Sequence, residues 1–195
     1  GWKDAGVVPV LGRPINHLFK LFDIHKEHPM YRVESVEKFN SEVDTFTESI
    51  KEIFPYSLKR NYEILNWKFA TNPLKKYEKR LLLKNSSIEG YCVFRVGKFN
   101  GIKTGIILDI FSRDLDGLNV LLDEIVRYFV LKNMNFISCY MNKNSFYYAA
   151  LLKRGFFPIP HFLLPKKNNF LIMNGNEKIL NVCNWYLGYG DWDCV

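Results

Sequence analysis

The sequence has little cysteine, and its few cysteines follow no metal-binding pattern. They are far apart, with no C-x-x-C pair, and no histidine is spaced to complete a zinc site. The four are Cys92, Cys139, Cys183 and Cys194. This spacing favours reduced apolar thiols in a cytoplasmic protein and leaves a disulfide or a zinc site as the alternative.

Long apolar runs are also missing. No segment reaches the ~20 apolar residues that a helix needs to cross a bilayer. The first residues, "GWKDAGVVPVLGRPINH", lack the charged start and apolar stretch of a signal peptide. We therefore predict no membrane partner. The sequence given does not begin with Met, and we expect it to be a processed chain or an excised piece.

The composition is typical of one globular unit with a basic surface. Of the 195 residues, 48% are hydrophobic and 16% aromatic, which is sufficient for a single buried core. Lys and Arg exceed Asp and Glu by 27 − 20 = 7, which favours anionic partners such as phosphorylated cofactors or nucleic acid. The basic stretches "SLKRN" and "NPLKKYEKR" are interrupted by acidic and apolar residues, so nucleic-acid binding is not favoured.

The chain divides into a lead-in over residues 1–29 and a domain over residues 30–195. The lead-in is rich in proline and shows only a short apolar turn at "HLFKLF". In the domain, "MYRVESV" predicts a strand. Helices are predicted over residues 41–54 and 61–69, and the second stops before Asn72-Pro73 because the residue before proline disfavours helix.

An antiparallel meander of three strands follows the helices. "YEKRLLLK" and "GYCVFRV" have the length and apolar content of strands, joined by the polar stretch "NSSIEG". The next strand, within "GIKTGIILDIF", is reached through Asn100-Gly101. Both residues tolerate the positive φ of a two-residue hairpin turn.

Beyond the meander the pattern predicts a helix, a strand, a second helix and a closing pair of strands. The first helix begins near Asp116, its predicted N-cap. "NFISCYM" is a strand parallel to the previous one. In "NSFYYAALLKRGF", Asn144 and Ser145 are good caps and Gly155 ends the helix. The closing strands are "FFPIPHFLL" and "NFLIMNG". The apolar stripe of the first helix contains Leu118, Leu121, Leu122, Ile125, Phe129 and Val130.

This order of elements, together with "NSFYYAALLKRGF", resembles the GNAT superfamily of acetyl-CoA-dependent N-acyltransferases. In that family an Asn opens a helix that ends K-x-G-F, and the spacing from Asn144 to Gly155 matches it. The resemblance covers roughly residues 30–175. It implies an α/β (α+β) fold with a central mixed, mostly antiparallel sheet and helices on both faces.

A narrower resemblance concerns the C-terminal half of two-domain GNAT-related proteins associated with bacterial surface-polysaccharide genes. It rests on "ILNWKFATNP", Tyr77, "GYCVFRV" and the ending "NWYLGYGDWD". It implies that the lead-in is the end of a preceding GNAT-like domain, which would be an intramolecular partner.

The resemblance also implies where an acyl-CoA cofactor would bind. In the family, a loop spelled [QR]-x-x-G-x-[GA] before the crossover helix binds the cofactor pyrophosphate through backbone N–H groups. Here Asp116 and Leu118 stand at the two glycine positions, so the loop is degenerate, and Asp114 adds a further carboxylate. The residues implied in cofactor binding are Ile110, Ser112, Arg113, Gly117, Leu118 and Asn144.

The catalytic groups of the family are only partly present. Many members use a Tyr seven positions after the motif Asn as general acid, and this position is Leu151. The neighbouring Tyr147 and Tyr148 are interpreted as packing residues or, for Tyr148, as part of a substrate site. A base for an amine would be Asp109 or Glu89. Desolvation in an apolar strand would raise the pKa of Asp109 towards a useful range.

The aromatic and acidic ending suggests a binding wall for a sugar or an amine, with an anchored tail as the alternative. Flat rings stack on sugar faces, and carboxylates accept hydrogen bonds from hydroxyl or ammonium groups. The residues assigned to this substrate wall are Tyr148, Trp185, Asp191 and Asp193.

Three functions follow from these residues and from the resemblance. The first is an acyl-CoA-dependent N-acyltransferase acting on a small amine or amino sugar with a degenerate pyrophosphate loop. The second is a non-catalytic GNAT-like half that binds substrate or stabilises a partner domain. The third is a related transferase that uses an aminoacyl-tRNA donor, which the net positive charge permits.

Overall fold

The computed structural model describes residues 2–15, 28–99, 101–143, 145–164, 169–173 and 177–191. Its strands are β1 (Trp2–Val7), β2 (Val10–Pro14), β3 (Arg32–Ser35), β4 (Tyr56–Ser57), β5 (Glu78–Lys84), β6 (Ser87–Phe99), β7 (Ile102–Ser112), β8 (Phe136–Tyr140), β9 (Phe157–Pro158), β10 (Asn169–Met173) and β11 (Trp185–Tyr186). Its α-helices are α1 (Glu42–Ser49), α2 (Tyr62–Phe69), α3 (Leu115–Leu131), α4 (Phe146–Lys153) and α5 (Glu177–Leu180).

Seven strands form the central sheet in the order β3-β5-β6-β7-β8-β2-β9. All neighbouring pairs are antiparallel except β7 and β8, which are parallel. Two small sheets lie outside it: β1 pairs with β10, and β4 pairs with β11. The mixed, mostly antiparallel sheet predicted from the sequence is therefore confirmed.

Helices cover both faces of this sheet. Successive residues of a strand point to opposite faces, and on β6 the ring of Tyr91 packs edge-on against Phe46 of α1. The preceding residue, Gly90, faces the opposite side, where an added Cβ would lie 3.2 Å from Leu121 of α3. Both helices bury apolar side chains in one continuous core.

The elements with a strong local pattern form as predicted. Asn61 caps α2 by accepting a hydrogen bond from the backbone N–H of Ile64 at 3.1 Å. The β6–β7 hairpin turns at Gly101, whose φ is +81°, while Asn100 lies outside the described residues. The predicted apolar stripe of α3 is buried throughout. The meander is thus confirmed, as is the crossover helix α3, which joins the parallel strands β7 and β8.

Two local boundaries were wrong. The helix α3 begins at Leu115, and its N-cap is Asp114 rather than Asp116. The stretch "NSSIEG" is not a polar loop, because only Asn85 and Ser86 form the turn, both with positive φ, and β6 continues through the rest. A two-residue turn lets the strands pair up to their ends.

The pairing of the chain ends also differs from the prediction. Within the lead-in, β2 inserts into the central sheet between β8 and β9. The segment "HLFKLF" lies outside the described residues. The two closing strands do not pair with each other, because β9 pairs with β2 and β10 pairs with β1. Such long-range pairings leave no local sequence signal.

No helix in the described part of the chain is long and apolar enough to span a bilayer. Cys92 and Cys139 are buried free thiols within the sheet, and burial raises the pKa of each.

Candidate functional site

The candidate site is the end of β7, where the central sheet opens. Parallel pairing with β8 stops at Ile107, which lies opposite Cys139. On the other side of β7 the register with β6 shifts after Ile107, so Leu108 faces no residue of β6 and forms a β-bulge. Beyond the bulge, the backbone on the β8 side of β7 has no strand partner among the described residues. An extended chain with amide groups could pair with such a strand.

Two buried tyrosine hydroxyls form hydrogen bonds with the backbone of this part of β7. The Ile110 N–H donates to the hydroxyl of Tyr186 at 3.0 Å, and that hydroxyl donates to the Ile110 carbonyl at 2.9 Å. Tyr147 of α4 repeats the arrangement at Ser112, with distances of 2.8 and 2.6 Å. The tyrosines therefore take the place of a neighbouring strand at both positions assigned to cofactor binding on β7.

The C-terminal segment that carries Tyr186 is fixed on several sides. The Asn142 amide donates to the carbonyls of Val182, at 2.7 Å, and of Trp185. The hydroxyl of Tyr189 lies 2.7 Å from that of Ser138 on β8. This segment crosses the open end of the sheet and contacts both β7 and β8.

The N-terminus of α3 is occupied by the chain's own carboxylate. Asp114 accepts a hydrogen bond from the backbone N–H of Gly117 at 2.7 Å, and the Tyr31 hydroxyl donates to Asp114 at 3.1 Å. Gly117 is required by packing, since a Cβ there would lie 2.4 Å from the Ser112 hydroxyl oxygen. Leu118 is buried in the core. The helix N-terminus that would attract an anion thus already holds one.

Arg113 carries the remaining positive charge of this loop. Its guanidinium pairs with Glu89 at 3.0 Å, and its side chain is 43% exposed. Glu89, the second base considered from the sequence, is therefore engaged in this ion pair.

Asp109 is part of a buried ion network. Its Oδ2 accepts from Arg60 Nε at 3.0 Å and from the Tyr91 hydroxyl at 3.1 Å. Arg60 also donates to Asp191 at 2.5 Å, and Lys68 lies 3.6 Å from the same carboxylate. Asp109, Arg60 and Asp191 are each less than 10% exposed.

The protonation of this network follows from burial and pairing. Burial raises the pKa of Asp109, and Arg60 opposes but does not cancel that rise. Burial lowers the pKa of Arg60, but the two carboxylates more than offset this, so its pKa is raised. Burial also raises the pKa of Tyr91. The guanidinium stays charged and sits 4.8 Å from the ring centre of Tyr186. The network ties β7 to the C-terminal segment.

The other residues assigned to the substrate wall are used for packing and anchoring. Trp185 donates from Nε1 to the Ile179 carbonyl at 2.9 Å and packs against Tyr56 and Phe170. Tyr148 is half-buried against the core. Asp191 also accepts from the Gly188 N–H at 3.0 Å.

Two assigned residues, Asn144 and Asp193, lie outside the described residues. The described cap of α4 is Ser145, which accepts from the Tyr148 N–H at 3.2 Å. Gly155 ends the helix with a φ of +78°. Leu151, at the position of the family's general acid, is buried in the core.

Sequence reasoning missed Arg60, and it considered Tyr186 only as one ring of the C-terminal aromatic wall. Arg60 lies in the basic stretch "SLKRN", and nothing local distinguishes it from Lys59. Tyr186 lies in the aromatic ending, but only the fold brings its hydroxyl to Ile110. The one usable signal was Asp109, an acidic residue in an apolar strand, because a buried carboxylate requires a partner.

Comparison with known proteins places the fold. No protein-family profile and no curated protein matches the chain. Among solved structures, a GCN5-related N-acetyltransferase from Anabaena variabilis has a TM-score of 0.62 at 15% identity, covering 94% of this chain and 43% of its own. A functionally unknown conserved protein from Staphylococcus epidermidis has a TM-score of 0.52 at 13% identity, over 88% of this chain and 61% of its own.

A third structure, Saccharomyces cerevisiae N-myristoyltransferase with bound myristoyl-CoA and inhibitors, has a TM-score of 0.52 at 12% identity. The match covers 86% of this chain and 48% of the transferase. At these identities the likeness concerns the fold alone, and that fold is the one of GNAT-related acyltransferases. The chain spans less than two thirds of each of these three proteins.

Proposed function

We propose that this chain is a non-catalytic GNAT-like half of a larger acyltransferase and does not itself bind acyl-CoA. The observation that carries the proposal is the hydrogen bonding of Ile110, Ser112 and Gly117. Their backbone N–H groups already donate to Tyr186, Tyr147 and Asp114. These are the groups with which the fold would hold an acyl-CoA.

The residues at the site do not fit the cofactor. A diphosphate at the N-terminus of α3 would meet the Asp114 carboxylate at contact distance. Two like charges at ~4 Å repel by about 1 kcal/mol in water and by about 4 kcal/mol at an effective dielectric constant near 20. The extended arm of the cofactor would also have to displace Tyr186, whose ring is fully buried against Phe111.

A proton donor for a leaving thiolate is missing from the expected place, since Leu151 is apolar and buried. Tyr147 lies nearby in sequence, but burial raises its pKa and its hydroxyl is used by Ser112. Asp109, the proposed base, is buried, and its Oδ2 already accepts hydrogen bonds from Arg60 and Tyr91. These side chains therefore stabilise the domain instead of moving protons.

The partner in this proposal is a preceding GNAT-like domain. Its support is the resemblance of the lead-in to the end of such a domain, together with the partial coverage of the three similar structures. In this arrangement the described domain binds substrate or stabilises the half that holds the acyl donor.

A second candidate function is acyl-CoA-dependent N-acylation of a small amine or amino sugar by this chain itself. The end of strand pairing between β7 and β8 at Ile107 favours it, because no described strand covers the β8 side of β7 beyond that residue. This function requires the segment with Tyr186 to move away from Ile110 of β7 when the cofactor binds.

Calorimetric titration with acetyl-CoA distinguishes the two candidates. We expect no binding tighter than about 100 μM, which corresponds to about −5.5 kcal/mol. Asp114→Asn keeps a capping side chain without its charge, and we expect it to remain a non-binder because Tyr186 still holds Ile110. A low-micromolar dissociation constant for the unmodified chain would refute the first candidate and favour the second.

A further inference from the structure

A cavity of about 400 Å³ opens beside the bulge of β7. Its wall is formed by the end of α2, the loop over residues 71–77, Leu108 of the bulge, and the C-terminal segment at Tyr189 and Gly190. None of the side chains that hold Ile110, Ser112 and Gly117 lines it. Its volume is in the range of small-ligand sites.

The cavity carries an excess of positive charge. Lys68 and Lys75 line it, and no Asp or Glu among the described residues does. Lys68 donates to the Gly190 carbonyl at 3.0 Å and lies near Asp191. Lys75 is half-buried and forms no ion pair within the described residues.

Two of the cations behind the wall are paired with carboxylates, while a third, the buried Lys79, donates to the carbonyls of Phe69 and Tyr77. Arg60 and Lys68 supply two positive charges, and Asp109 and Asp191 supply two negative ones. No described carboxylate pairs with Lys75, so the described residues leave the cavity with an excess of positive charge. A partly buried cation without a carboxylate favours an anionic ligand.

Aromatic rings and an amide stand at the same opening. Trp67 is 72% exposed, although a large apolar ring is usually covered. Tyr77 also lines the cavity, where it is half-buried and packed edge-on against Phe69. The side-chain oxygen of Asn72 accepts from the Leu74 N–H at 2.9 Å, which leaves its NH₂ group to donate to a ligand.

We propose that this cavity binds a monosaccharide that carries an anionic group, either a carboxylate or a phosphate. Trp67 stacks on the sugar ring, Lys75 pairs with the anion, and Asn72 donates to a hydroxyl. The inference deepens the proposed function by naming the ligand class of a substrate-binding half. Sugar binding itself is independent of that function, and only the role of the sugar as a substrate rests on it.

An amino sugar does not suit this cavity. An ammonium group needs a carboxylate, and the described carboxylate next to the lining, Asp191, is 4% exposed and already paired with Arg60. The positive charge of Lys75 would repel the ligand further.

The test is calorimetric titration of this chain with glucuronate, glucose 6-phosphate, glucose and glucosamine. We expect at least one of the two anions to bind at least tenfold more tightly than glucose, and the stronger anion identifies the source of the charge. Glucosamine should bind no better than glucose. Added salt should weaken the anion because Lys75 is partly accessible.

Three variants assign the binding to the cavity. Lys75→Met should weaken the anion at least fivefold, whereas Lys76→Met, which changes the exposed neighbouring lysine outside the lining, should leave it unchanged. Trp67→Leu should weaken glucose and the anions alike.

The inference is overturned if glucosamine binds best, if no sugar binds at about 10 mM, or if Lys75→Met and Lys76→Met behave alike. These outcomes are independent of acetyl-CoA. If no sugar binds, the chain can still fail to bind acetyl-CoA, so the proposed function would stand. If acetyl-CoA binds, the proposed function is refuted, but the inference about this cavity is unaffected.

Discussion

Removing the hydroxyl of Tyr186 should destabilise the chain far more than its size suggests. Tyr186→Phe keeps the ring, which packs at 3.9 Å centre to centre on Phe111, but leaves the Ile110 N–H and carbonyl without their partner. Each buried group left unsatisfied costs about 1–3 kcal/mol. After local relaxation we expect a loss of about 2–4 kcal/mol.

Thermal unfolding measures this loss. For a chain of this size each kcal/mol lowers Tm by about 2–4 °C, so Tyr186→Phe should lower Tm by about 4–16 °C. The matched control is Tyr148→Phe, because the Tyr148 hydroxyl forms no hydrogen bond with any described residue, and its Tm should change by less than about 2 °C. Equal Tm values for Tyr186→Phe and the unmodified chain would refute the assignment of this hydroxyl to Ile110.

The remaining predictions concern a turn, a helix cap and an ion pair. Gly101→Val should lower the free energy of unfolding by about 1 kcal/mol or more in chemical denaturation, because Gly101 has a φ of +81° and a β-branched residue disfavours positive φ. An added Cβ would meet no other atom there, so Gly101→Asn should cost less. Ser145→Ala should cost about 0.5–2 kcal/mol and Ser145→Asp much less, since Asp also caps. Burial raises the pKa of Asp123, but Arg154 and His28 more than offset this and lower it overall. Its ion pair therefore stabilises the fold above the unfolded pKa of about 3.9 and loses this effect as the pH falls through the lower folded value. The stability gap between the unmodified chain and Asp123→Asn, measured by urea unfolding, should be full at pH 7 and shrink below about pH 4; a gap independent of pH would contradict this.

The sequence predicted the parts of the fold that depend on local pattern. The stripe of α3 and the hairpin at Gly101 are visible within a few residues, because helical periodicity and turn chemistry act locally. Similar residues two positions apart defeat the same reasoning. Asp114 and Asp116 are equally good caps in sequence, and only the path of β7 makes Asp114 the one that reaches the Gly117 N–H.

Long-range pairing lay beyond prediction. The insertion of β2 beside β8 joins residues more than a hundred positions apart, and no periodicity encodes such a partner. The site shares this difficulty, since Arg60, Asp109 and Asp191 come from three distant segments. Sequence reasoning identified Asp109 and Asp191 as notable but assigned them to separate roles. The structure joins them through one arginine.

Amide hydrogen exchange at the end of β7 is the most direct test of the claim that the chain occupies its own cofactor groove. Exchange rates of the Ile110, Ser112 and Gly117 amides should be measured with and without saturating acetyl-CoA. We predict that all three are protected without the cofactor and that acetyl-CoA leaves their rates unchanged. Fast exchange at Ile110 and Ser112 that slows when acetyl-CoA is added would contradict the account, because it would mean that the groove is open and binds the cofactor.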